Sequence, residues 1–509
     1  MGQLASLSWK RRFLDETPGD EVKGGRPRQV PGACWSKVDP TPAPAPQLRL
    51  WSAEVAEQLG LSEPDTEVFS GGRVVAGMVP YAQRYGGHQF GNWAHQLGDG
   101  RAITLGEVQT PDHGVLEVQL KGAGLTPYSR TADGKAVLRS SLREFLCSEA
   151  MHHLGVPTTR ALSMATTGED VIRDVLYDGN PAPEPGAVVC RVAPSFLRFG
   201  SFQIHVADGH HETLRTLVEH TVRRHFPHHD VSSDDGLVAW LTEVARSTAT
   251  MIAHWMRVGF VHGVMNTDNM SIHGLTVDYG PYGWLEPYDV DWTPNTTDAS
   301  RRRYRYGHQP HIGVWNVARL LEAIAPLMED KGRLQPILDD CMEFTMTLQS
   351  DTWGAKLGLG TLEASDESLV DDLLTLFGHT EVDMTLFFRL LGEVAEPALD
   401  GLMLAFYSPE ETDMKPWGVW LGRWWERVNG RPDRTTMRIT NPKYVLRNWM
   451  AQMAIDAAEQ DEDYSICEEL HELLKRPYDE HPELEAKWFQ KRPEWAKQRV
   501  GCSMLSCSS

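Results

Sequence analysis

The sequence is short of three things, and each shortage removes a class of function. No run approaches the roughly 18 apolar residues that a helical membrane span needs, so neither a transmembrane helix nor a membrane partner is expected. Cysteine is scarce: seven, odd in number and scattered (Cys34, Cys147, Cys190, Cys341, Cys467, Cys502, Cys507). That excludes a secreted disulfide framework and places the chain in a reducing compartment, cytoplasmic with mitochondrial as the alternative. Positive charge is the third: 49 Lys and Arg face 70 Asp and Glu, a formal net charge of −21. Such a balance disfavours nucleic acid as a partner but allows a local basic pocket for a phosphorylated small molecule. There is no internal repeat.

What is present is enough apolar material for a large core. The 509 residues are 41% hydrophobic with 17 Trp, which suits two or three domains or one bilobal unit with additions. The first 14 residues, MGQLASLSWKRRFL, carry three basic residues and no acid. They read as an ordinary flexible start, with a mitochondrial-type leader as the alternative, and Met1-Gly2 with Ser6 fits a short myristoylation pattern too brief to carry weight. Residues 1 to 48, rich in Pro and Gly, read as an extended arm laid on a surface. LRLWSAEVAEQLGL follows as an amphipathic helix closed by Gly60.

The chain then lays out a sequence of parts. Gly98-Asp99-Gly100 is a tight turn opening a strand. In GVLEVQLKG, Leu116, Val118 and Leu120 point one way and Glu117, Gln119 and Lys121 the other, so Lys121 projects from the polar face of a strand near its end. GKAVLRSSLREFLCSEAMHHLG has helical period, with Glu144 midway and Gly155 as a stop. GAVVCRV is a second strand running into Arg191. A long apolar-faced helix from about residue 236 to 258 delivers the chain into VHGVMNTDNMSIHGLTVDYG. Beyond residue 310 the pattern is helical to about 495, and a short tail follows.

That 20-residue stretch resembles the catalytic and metal-binding loops of protein kinases, which carry His-Arg-Asp, an Asn five residues on, and Asp-Phe-Gly after a short hairpin. Here His262 and Asn269 are present, Asp278-Tyr279-Gly280 closes the stretch, and His273-Gly274 is the expected hairpin turn. Two residues after the His stands Val264, and a hydrocarbon cannot accept a proton. Asn269 and Asp278 are oxygen ligands on adjacent loops, suited to a hard divalent cation, Mg²⁺ or Mn²⁺, that also binds phosphate oxygens. Lys121 with Glu144 is a candidate phosphate-holding ion pair. Gly98-Asp99-Gly100-Arg101 takes the place of a phosphate-covering loop. Arg191 and Arg198 bracket PSFLRFG, where guanidinium forks suit a polyphosphate. The His groups at 209–211 and 225–230 lack ligand spacing on one helix face and read as structural. The expected fold is α+β, bilobal and protein-kinase-like, with an N-lobe over 49–185, a C-lobe over 186–350, a helical C-terminal extension over 351–495 and a flexible tail over 496–509.

YAQRYGGHQFGNWAHQLGDGRA, QLKGAGLTPYSRTADGKAVLRSSLREFL, HGVMNTDNMSIHGLTVDYGP, YRYGHQPHIGVWNVARL and NPKYVLRN resemble selenoprotein O and its bacterial relatives, from about residue 30 onward. The resemblance implies a kinase-like fold that binds ATP in a flipped orientation and transfers AMP to protein hydroxyls, with UMP from UTP described for some bacterial members. It also implies Asp268 as proton acceptor and Asn269 and Asp278 as metal ligands. Gly98, Gly100, Arg101, Lys121, Asp133, Gly134, Arg191 and Arg198 would form the nucleotide site, with Glu144 supporting Lys121. The partners are protein substrates with Ser, Thr or Tyr hydroxyls, and a monomer is expected. A phosphotransferase that reuses Asp268 and a silent ATP-binding scaffold stay open as alternatives. In the tail, the family's redox residue third from the end corresponds to Cys507, with Cys502 its nearest partner. A latch to the segment after Asp-Tyr-Gly is excluded, because no cysteine lies between Cys190 and Cys341.

Overall fold

The computed structural model describes residues 3–175 and 179–506. Its N-terminal part is built on a ten-stranded, largely antiparallel sheet. The strands that matter for the site are β1 (Gln47–Trp51), β2 (Tyr81–Gln83), β3 (Ala102–Gln109), β4 (Val115–Lys121), β5 (Arg160–Arg173) and β6 (Ala182–Ala193), in the spatial order β2-β3-β4-β6-β5-β1. The alternation read in β4 holds. Leu116, Val118 and Leu120 join one apolar cluster, while Glu117 and Gln119 are buried on the opposite face and Lys121 ends the strand there. Pairing of Gln119 with Arg191 on β6 brings the two polar positions side by side.

Helix α1 (Leu138–His153) carries Glu144 on its buried face and stops before Gly155, whose φ of 74° is the left-handed conformation that glycine adopts without Cβ strain. Helix α2 (Phe199–Ala207) follows the segment holding Arg198. Helix α3 (Asp234–Val258) is capped by Ser233, whose side chain accepts from Gly236 N, and ends at left-handed Gly259. Trp240 and Trp255 on its inner face are fully buried, anchoring it in the main core cluster. Losing either to Ala would cost about 3–5 kcal/mol. From residue 309 the chain is helical, starting with α4 (Gln309–Ile324) and α5 (Leu334–Lys356). Among the described residues no helix is long and apolar enough to cross a membrane.

Four local readings are corrected. LRLW is strand β1, and only Ala53–Leu59 is helical, because Ser52 caps the helix through Val55 N and so fixes its start. The arm does not lie on a surface: Ser8–Lys10 pairs with β3, and Gly19–Asp20 and Trp35–Lys37 extend the sheet beyond β2. Phe13 and Trp35 are buried there, which holds it in place. The turn at His273-Gly274 forms, but its legs do not pair with each other. Ser271 bridges to Arg198 and Thr276 to Thr158, so longer-range partners win the backbone bonds. The tail is docked as far as Ser506, with Cys502 and Leu505 buried.

Candidate functional site

A cavity of about 860 Å³ opens where the sheet meets the loop that follows α3. Gly98, Gly100, Arg101 and Lys121 line it from the sheet, Asp133 and Gly134 from the loop before α1, and Asp268, Asn269 and Asp278 from the other side, with Arg191 at its base. Arg198 and Glu144 stand immediately behind the wall, each bonded to a lining residue.

Those charges form one network. Lys121 Nζ donates to Glu144 Oε2 at 2.5 Å and to Asp278 Oδ1 at 3.3 Å. Arg191 Nη1 donates to Glu144 Oε1 at 2.9 Å and to Asp278 Oδ1 at 2.6 Å, and its Nη2 donates to Gln119. Arg198 Nη1 donates to Asp278 Oδ2 and, at 2.8 Å, to the Asp268 carbonyl, while its guanidinium lies 4.5 Å over the Tyr85 ring. Burial alone would raise the Asp278 carboxyl, but Arg198, Lys121 and Arg191 outweigh it and hold the group well below the ordinary range. Burial lowers Lys121, with Glu144 and Asp278 opposing. Three cations thus meet three carboxylates, Glu144, Asp278 and Asp99, the last an ion-pair partner of Arg198 at 3.9 Å, and Arg101 adds a guanidinium that makes no hydrogen bond or ion pair with a described residue. The cavity lining as a whole sets six Lys and Arg against four Asp, a surplus of positive charge in a chain of net charge −21. Asp278 sits at φ 59°, a left-handed conformation uncommon outside glycine and costly to hold.

Asp268 lies on a single 3₁₀ turn, Thr267–Asn269. Its Oδ2 accepts from Gln89 Nε2 at 3.1 Å, and its Oδ1 is buried without a partner. Burial pushes its carboxyl up to about 6, with Gln89 and Arg198 pulling the other way. Asn269 Nδ2 donates to the Val264 carbonyl at 2.9 Å, leaving the amide oxygen as the end available to a ligand. Val264 therefore serves the loop through its backbone. His262 is buried, stacks on Trp255 and bonds the Val277 carbonyl at 3.0 Å, tying the start of the loop to its end.

The family described as "Protein adenylyltransferase SelO" matches residues 28–475. The chain belongs to that family. Among its relatives are the protein nucleotidyltransferases YdiU of Azoarcus sp. (strain BH72), 54% identical, and of Xanthomonas campestris pv. campestris (strain 8004), 53% identical. Each alignment spans 99% of this chain and 100% of the relative. YdiU of Rhodopirellula baltica is 52% identical over 99% of both chains.

The SelO match includes every residue of the cavity and network just described. Within it, the turn at Gly98 is set from beneath: Thr126 Oγ1 donates to the Asp99 carbonyl at 2.6 Å, and a Cβ at Gly98 would lie 2.4 Å from the Tyr128 ring. Gly134, at φ 74°, passes so close to Gly124 that a Cβ would lie 2.3 Å from its carbonyl oxygen. Asp133 is held by both guanidinium nitrogens of Arg173, at 2.7 and 2.9 Å. Arg173, at the end of β5, lines the cavity and was missed by sequence reasoning, since RALSMATTGEDVIR lacks a sustained period-two pattern. Gln89 and Phe90 were missed too; YGGHQFGNW had signalled only family. Cys502 is not at this site. It lines a separate cavity beside Trp284 and Glu286, and burial pushes its thiol up to about 12. Cys507 lies outside the described residues.

Proposed function

We propose that this protein transfers AMP from ATP, or UMP from UTP, to the hydroxyl side chains of protein substrates, in a protein-kinase-like fold. The observation that carries the reading is Asp268: a carboxylate raised to about 6, with one oxygen free of protein donors, on the wall of a cation-rich cavity. The order of parts supports the fold: turn, Lys strand, Glu helix, long helix, then a loop ending in Asp-Tyr-Gly.

In this reading the acceptor hydroxyl loses its proton to the Asp268 carboxylate as its oxygen forms a bond to the α-phosphorus. The bond from that phosphorus to the pyrophosphate oxygen breaks, and Lys121, Arg101 and Arg191 meet the charge that develops on the leaving group, a preorganised electrostatic contribution. Arg198 positions the loop by gripping both Asp278 and the Asp268 backbone. Asn269 Oδ1 and Asp278 would hold Mg²⁺ or Mn²⁺. The donor set, one amide oxygen and one ionised carboxylate, suits a hard dication. Asp278 gives three of its roughly four lone-pair positions to cationic side chains, so one is left. A bound dication would neutralise phosphate charge.

The test is the fate of label. Label on the α-phosphate should enter protein, and γ-label should leave as pyrophosphate, with Lys121→Ala as the inactive control. Entry of γ-label alone would establish a phosphotransferase with a relocated base. Failure of both labels across Mg²⁺, Mn²⁺, ATP and UTP would leave a nucleotide-binding scaffold.

A further inference from the structure

Sequence reading set aside the histidines at 225–230 for want of ligand spacing on one helix. The fold supplies the missing ligand from another element. His228 Nε2 lies 2.6 Å and His229 Nε2 2.7 Å from the same oxygen of Glu243, which projects from α3. The three donor atoms all lie within 4.8 Å of one another, and the two rings are 4.2 Å apart and tilted by 48°.

Two imidazole nitrogens and one carboxylate oxygen, converging from a loop and a rigid helix, are the donors of a three-ligand site with a position left open. Imidazole selects first-row transition dications over Mg²⁺ and Ca²⁺, which take oxygen. The nearby cation does not oppose one: Arg246, one turn further along α3, is turned onto Asp340 through two hydrogen bonds at 2.9 and 2.6 Å. Binding would open the N···O separations to roughly 3.4 Å, the edge of a tetrahedron with metal–ligand bonds near 2.1 Å. His228, with a side chain 59% exposed, is free to make that movement.

We propose that His228, His229 and Glu243 bind one transition-metal dication of the Zn²⁺ type. The site pins the loop between two helices to α3, the helix that delivers the chain into the candidate active-site loop. Its influence has a short route. Phe226 in the same loop stacks on His273 with ring centres 5.5 Å apart, and His273 forms the turn between Asn269 and Asp278. A second cluster of similar composition, Glu54, His152 and His153, fails on charge. There the Arg160 guanidinium lies 3.4 Å from the same Glu54 oxygen that faces His153, where a dication would meet a cation.

Full-length protein stripped with a chelator should be titrated with Zn²⁺ against a chromogenic chelator in excess Mg²⁺. One Zn²⁺ equivalent is expected, weakened at least ~10-fold by His229→Ala and by Glu243→Gln and unchanged by the His152→Ala/His153→Ala double variant. Zn²⁺ should raise the melting temperature of the wild type and not that of Glu243→Gln, with circular dichroism confirming that each variant folds. Absence of a Zn²⁺ equivalent, unchanged affinity in both His229→Ala and Glu243→Gln, or loss on changing His152 and His153 would each overturn the assignment.

Discussion

A carboxylate with one oxygen bonded to Gln89 and the other buried without a donor is costly to ionise. The carboxyl of Asp268, at about 6 in the fold against an ordinary 3.8, binds its proton more tightly folded than unfolded. The stability it contributes is therefore full below about pH 4 and is lost as pH rises through about 6. Asp268→Asn should melt above the wild type at pH 8, by up to about 3 kcal/mol, with the gap closing towards pH 4. On the proposed mechanism the same change removes the proton acceptor, so turnover should fall roughly 10²–10⁴-fold while calorimetric ATP binding persists. Wild-type turnover should climb with pH through about 6. A variant that melts no higher than the wild type at pH 8 would mean that Oδ1 is solvated or bonded in solution. One residue is thus both a chemical asset and a local weakness, a pairing common where proteins hold a base ready.

The loop that covers Asp268 is a miniature hairpin, in which His88–Gln89 pairs with Asn92–Trp93 around Phe90 and Gly91, both at positive φ. It is fastened to the turn below by His88 N donating to Thr267 Oγ1 at 2.7 Å and Phe90 N to Asn266 Oδ1 at 3.1 Å. Gly87 passes so close that a Cβ would lie 2.3 Å from Asp268 Oδ1. Gly87→Ala should displace that carboxylate and lower turnover roughly 10²-fold, the effect of about 1 Å of misplacement, with ATP affinity nearly unchanged. Equal turnover in the two proteins would show that the hairpin yields instead. Two-residue strands have no period to read, which is why this element was invisible in the sequence while β4, α1 and α3 were plain from alternation, apolar stripes and glycine stops. The site divides the same way. Lys121, Glu144, Asn269, Asp278, Arg191 and Arg198 were nameable because each sits at a telling place in its own element. What the sequence could not give was that both arginines, 87 and 80 residues away, close on the single carboxylate of Asp278. Nor could local composition show that LRLW would pair as a strand, a choice made by Met164 and Ala165 across the sheet.

Segments close to both limits of the described residues are built into the molecule. Ser8–Lys10 pairs with β3 near the beginning, and near the end Leu505 N donates to the Pro294 carbonyl at 3.1 Å while the Leu505 carbonyl accepts from Thr296 N at 2.8 Å. Between those two bonds Asn295 Nδ2 donates to the Gly263 carbonyl at 3.0 Å, at the start of the loop that carries Asp268, and Thr297 lines the nucleotide-sized cavity. Leu505→Ala should cost about 2 kcal/mol and make residues 289–303 more open to limited proteolysis. An unchanged cleavage pattern would show that this segment holds without the tail. Thr296 Oγ1 also donates to the Leu505 carbonyl at 3.0 Å, across 209 residues of sequence. A contact of that span costs loop-closure entropy before it stabilises anything, so this wall of the cavity should be among the last parts of the fold to set.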